Sequence, residues 1–72
     1  MNETRQEAIR SGVANAMDTV FTDKAMDAEA AFKMLEDFVS DGLSCAGLSD
    51  IVTPEDIAFA KRCWYVLSNH AN

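Results

Sequence analysis

Thr53-Pro54-Glu55-Asp56-Ile57 opens the most clearly marked helix of this chain. The Thr53 hydroxyl suits an N-cap, Pro54 takes the first helical position, where its missing N–H costs nothing, and Asp56 falls third. Val52 before the cap and Ile57 after it are placed to close as a hydrophobic staple. On a helical wheel Ile57, Phe59, Ala60, Cys63, Trp64, Val66, Leu67 and Ala71 share an arc of roughly 180°. Lys61, Arg62, Tyr65, Ser68 and Asn69 fill the other half. A helix apolar over half its girth needs cover on more than one side, which points to a helical bundle.

Upstream, residues 43–52 are the least regular stretch. Gly47 and the serines break periodicity, while Leu43, Leu48, Ile51 and Val52 are too apolar for a solvated loop, so a packed connection with one helical turn is expected. Before it, Asp27 caps a helix whose apolar face reads Ala28, Ala31, Phe32, Leu35, Phe38, Val39 and Leu43, with Met34 at its edge. Glu29 and Lys33 stand in the favourable i, i+4 order on the opposite side. Gly42 is the expected stop, supplying the left-handed residue that closes a helix. Thr22 to Met26 reads as a short polar connection.

The first helix starts at Thr4-Arg5-Gln6-Glu7, which fits a capping box, and carries a narrow stripe of Ile9, Val13, Ala16, Met17, Val20 and Phe21. Its narrowness places this helix on the outside of the bundle. Ala8, Gly12 and Ala16 stand four apart; they read as an alanine-rich helix with one tolerated glycine rather than as a close backbone seam. The expected fold is all-α: one domain, residues 1–72, of three helices (4–21, 27–41 and 54–69) in an up-down bundle. A chain this short buries only about 60% of its unfolded surface, so dimerisation is expected to complete the bundle.

Twelve acidic against six basic residues give a net charge of −6. That opposes direct binding to nucleic acid or anionic membrane, where affinity comes from Lys and Arg. The N-terminal residues have no basic stretch followed by an apolar core, and no apolar run approaches the ~18 residues of a membrane span. Cys45 and Cys63 make no disulfide framework or zinc motif, so a cytoplasmic protein with reduced thiols is expected.

Little in the chain suits catalysis. The single histidine, His70, stands two turns, about 10 Å, beyond Cys63, too far for direct activation. It reads as a histidine suited to the dipole at a helix C-terminus. No glycine-rich phosphate loop or calcium-loop spacing occurs. Acyl carrier proteins are likewise short, acidic and helical, but their Asp-Ser-Leu motif is missing; Ser40 and Ser44 lie in Val-Ser-Asp-Gly-Leu-Ser-Cys. No enzyme, cofactor or metal is therefore expected.

The function expected is that of a non-catalytic acidic regulator or inhibitor, of the accessory kind that phages and plasmids carry, acting by protein–protein contact and as a homodimer. Its contact residues are expected on the last helix: Phe59, Cys63 and Val66 along one edge, where a three-helix monomer leaves poor cover, and Arg62 and Tyr65 on the opposite, polar side. One alternative is a nucleic-acid mimic that presents Glu29, Glu36, Asp37, Asp41, Glu55 and Asp56 to a basic protein. The other is a small carrier or thiol enzyme using Cys45 or Cys63, with Lys61 or Arg62 to lower the thiol pKa.

Overall fold

A computed structural model describes residues 3–22 and 27–71, except the side chains of Phe21, His70 and Ala71. The expectations for the 23–26 connection and for the His70 side chain fall outside the described residues. Among these residues the chain is all-helical: α1 (Glu3–Thr22), α2 (Ala28–Lys33), α3 (Leu35–Cys45) and α4 (Pro54–Ala71). Helices α2 and α3 are the two halves of the expected middle helix, broken at Met34. There φ is −98° and ψ is 11°, and the Met34 N–H is shared between the Ala30 and Ala31 carbonyls. No glycine or proline marks the break. It lies two residues after Phe32, whose ring meets Trp64 edge-on at 6.0 Å.

Asp27 caps α2 as expected, its Oδ1 accepting from the Ala30 N–H at 2.8 Å. Glu29 and Lys33 pair at 3.5 Å in solvent. Gly42, however, does not end the helix; it lies buried inside α3, which runs on to Cys45. The end is made at Gly47, φ 74°. There the Leu48 N–H donates to the Leu43 carbonyl at 2.9 Å and the Gly47 N–H to that of Ser44 at 3.0 Å, the paired bonds of a Schellman motif. Leu48, half-buried, packs back on the core beside Leu43. Ile51 departs from the expected packed connection and is 72% exposed.

The reason Gly42 stays helical lies in α1. A Cβ on Gly42 would sit 2.6 Å from the Ala8 carbonyl oxygen and 3.1 Å from Gly12 Cα. A Cβ on Gly12 would come closer still to the Phe38 carbonyl oxygen. The two helices thus touch backbone to backbone, and Ala8 and Gly12 form a close seam after all. With Ala8, Gly12 and Ala16 buried beside Ile9, Val13 and Met17, the buried arc of α1 is far wider than its large residues suggest. Helix α1 is therefore central, packed by α2, α3 and α4, and not the outer helix of the sequence expectation. Residue 8 opposes residue 42 while residue 12 opposes 38, so α1 and α3 run antiparallel. Arg5 meets Asp56 and Arg10 meets Phe59, so α4 returns parallel to α1.

The start of α4 is closed from both directions. The Asp56 N–H donates to Thr53 Oγ1 at 3.2 Å and the Thr53 N–H to Asp56 Oδ2 at 2.9 Å, a reciprocal capping box. Thr4 and Glu7 of the other expected box lie within α1, which begins at Glu3, so Thr4 is not its cap. Asp56 is only 1% exposed and holds Arg5 through two bonds, Nε to Oδ1 at 3.1 Å and Nη2 to Oδ2 at 2.7 Å. The same guanidinium donates to the Ser49 and Ile51 carbonyls at 3.3 and 2.9 Å. One side chain of α1 therefore ties down the connection and the cap of α4 together.

Two outcomes are expected from this arrangement. Gly42→Ala should lower stability by about 1–3 kcal/mol, although alanine is the better helix former, because the backbone at Ala8 and Gly12 has no room to yield. A thermal melt followed by circular dichroism measures it, and a raised midpoint would mean that the helices do not cross so closely. The second outcome concerns acid. The Arg5 guanidinium holds the Asp56 carboxyl down at about 2 against an ordinary 3.8, outweighing burial, which pushes it up. A folded-state pKa below the unfolded one contributes stability that is complete above the unfolded value and lost as pH falls through 3.8 towards 2. Melts repeated from neutral pH down through that window should show the loss. Asp56→Asn should be less stable at neutral pH and flatter below it.

Candidate functional site

The outer surface of α4 is set by its packing. Ala60, Trp64 and Asp56 point into the bundle, while Ala58, Lys61, Arg62, Tyr65, Val66 and Asn69 face solvent. Of the expected contact residues, Val66 is 55% and Tyr65 60% exposed. Arg62 is exposed, and Phe59 and Cys63 are half-buried.

These five residues divide between two edges of the helix. Towards α1 lie Phe59, Arg62, Cys63 and Val66. The Phe59 edge is better covered than a three-helix monomer promised, because the Arg10 guanidinium from α1 lies over the Phe59 ring, 5.4 Å from its centroid. The Arg62 guanidinium lies over the same ring at 5.8 Å. Burial pushes the Cys63 thiol up, and the positive charges of Arg10 and Arg62 offset this only in part. Towards α2 lies Tyr65, its ring 6.1 Å from that of Phe32, with the Lys61 ammonium 5.8 Å above the Phe32 ring. Arg10 completes the site and was missed. The wheel of α4 says nothing about which side chain of another helix will reach it.

Beside the second edge, a shallow groove of about 250 Å³ runs between α2, α3 and α4, lined by Phe32, Leu35, Ile57 and Lys61. A neighbouring one of about 470 Å³ extends past Val52 and Pro54. Val52 and Ile57, the expected staple, are both half-buried against it. On the opposite side, an open groove of about 380 Å³ between α1 and α3 passes Ser11, Asp41 and the exposed Cys45. Among the described residues, no group of three or more His, Cys, Asp or Glu is placed to hold a metal ion, and no helix is long and apolar enough to cross a membrane.

Charge is divided unevenly over these surfaces. From Ile57 to Asn69 there is no Asp or Glu, while Lys61 and Arg62 stand together. Glu36, Asp37 and Asp41 lie exposed on α3. Asp56, one of the six acids of the mimic alternative, is turned inward and neutralised by Arg5, so it presents no charge to a partner. Compared with known protein families, curated proteins and solved structures, the chain matches none.

The two thiols should differ in reactivity. Cys45 is exposed, whereas Cys63 is half-buried with a raised pKa, so a maleimide or disulfide reagent should modify Cys45 first under native conditions. Peptide mapping after brief labelling would read the order. Prior modification of Cys63 would mean that the edge beside Phe59 opens in solution.

Proposed function

We propose that this chain is a small acidic regulator or inhibitor that works without catalysis, by binding another protein through the outer face of α4. The observation that carries the reading is the exposure of Val66 beside Arg62 on one edge of α4 and of Tyr65 on the other, on a helix whose inner face is spent on the core. Tyrosine and arginine are enriched at the energetic centres of protein interfaces. An accessory protein of the phage or plasmid kind fits this size and charge, and the two free thiols suit a reducing, cytoplasmic setting.

A homodimer is the second reading, and the observation favouring it is the modest core. Ala8, Ala16, Ala31 and Ala60 are four of its eleven buried apolar residues among those described. A second copy laid over Phe59 and Val66 would add apolar cover that so short a chain lacks.

Affinity capture from host cells, read by mass spectrometry, is the test, run beside a Tyr65→Ala, Val66→Lys variant. We expect a protein retained by the wild type and released by the variant, whose circular dichroism stays unchanged because both side chains already face solvent. Equal retention by both would move the contact surface off α4. Sedimentation velocity separates the second reading: a single species near the 7.9 kDa chain mass eliminates the homodimer.

A further inference from the structure

We infer that the segment docking on the α1/α4 edge is acidic: Arg10 and Arg62, gathered over the Phe59 ring, are a receptor for carboxylates of another protein. This rests on the protein-binding reading above and adds the chemistry of the partner. The first ground is an unspent pair of charges. The chain has twice as many acids as bases, yet among the described residues only Arg5 and Lys33 make ion pairs. Arg10 has Glu7 three residues before it on α1, within reach of a helical side chain, and still makes no pair with it. Both guanidinium groups instead lie over one aromatic ring, at 5.4 and 5.8 Å, and both residues are exposed.

A guanidinium carries five N–H groups; Arg10 spends part of its set on the Cys63 sulfur, and the groups left over match a carboxylate in two-point geometry. Two such groups from two different helices, held against one ring, present a fixed spacing at little further entropic cost. Val66, one turn beyond Arg62, adds an exposed apolar contact. The complement is a segment that carries carboxylates beside an apolar side chain.

The other occupants fit less well. A twofold dimer across Phe59 and Val66 would bring Arg10 and Arg62 of both copies to one seam, and like charges so placed oppose association. Nucleic acid would meet two basic side chains here, Arg10 and Arg62, on a chain of net charge −6, too few to offset the repulsion of phosphates.

Titration of the 15N-labelled protein with three probes tests the inference: a helical Leu/Glu peptide, the same peptide with Lys for Glu, and oligothymidylate. The Leu/Glu peptide should shift the amide signals of Arg62 and Val66. Its affinity should fall with added salt, and by about tenfold or more in Arg10→Gln, Arg62→Gln. Arg62→Gln alone, at an exposed position, should show part of that loss with an unchanged melt, so misfolding cannot stand in for it. The inference is overturned if the Leu/Glu peptide leaves those signals unmoved, if the Leu/Lys peptide or oligothymidylate binds there as well, or if the Gln variants bind unchanged. Captured partner separates the two levels. A partner lost with Val66→Lys but kept by Arg10→Gln, Arg62→Gln leaves the protein-binding reading standing and removes only the acidic segment; a partner kept by both variants removes both.

Discussion

The fold depends on the closeness of α1 and α3 at Gly12 and Gly42. Without side chains at these two places the helices meet backbone to backbone, and Ala8 extends the contact along α1. Everything else is arranged around that crossing. It makes α1 the central helix, with α4 packed against both α1 and α3. Close approach also suits a chain with few large core residues, because dispersion contacts between backbones replace those that bulky side chains would make. Helical propensity is sacrificed for it twice, at roughly 1 kcal/mol for each glycine.

How much was legible in the sequence follows from the range of each interaction. Asp27 and Thr53 were readable as caps because a cap closes on an N–H three residues away. The apolar stripe of α2 and α3 was readable because Ala31, Leu35, Val39 and Leu43 recur at helical spacing, and all four are buried. Gly42 was misread because a glycine near a helix end has two physical uses, turning the chain and admitting a neighbour, and only the neighbour distinguishes them. The same blindness put α1 on the outside, since small residues look like weak hydrophobes on a wheel and become contact surface only when another backbone arrives. Arg5 and Asp56 are 51 residues apart and carried no local sign of their pairing.

The candidate site shows the same division. The wheel of α4 placed Val66 and Tyr65 correctly at the surface and Trp64 in the core. It placed Phe59 on an exposed edge because Arg10, the side chain that covers it, belongs to α1. It also united Tyr65 with Arg62, whereas Phe32 draws the tyrosine ring towards α2. The charge asymmetry of this face was present in the bare sequence, in the acid-free run from Ile57 to Asn69, and acquired meaning only when Arg10 was seen to join it. The acids that dominate the composition lie elsewhere, or, for Asp56, are consumed inside the bundle.

The reach of Arg5 bears on how the chain assembles as it is made. Gly12 meets α3 at Phe38, Val39 and Gly42, so the α1–α3 crossing closes a shorter stretch of chain than the Arg5–Asp56 pair. The first turn of α1 must wait until Asp56 and the Ser49 and Ile51 carbonyls exist and α4 has begun to form. Closing the longer loop costs only about half a kcal/mol more than the shorter one. The delay is thus one of availability and not of entropy: the first turn of α1 is made 51 residues ahead of Asp56, the carboxylate that fastens it.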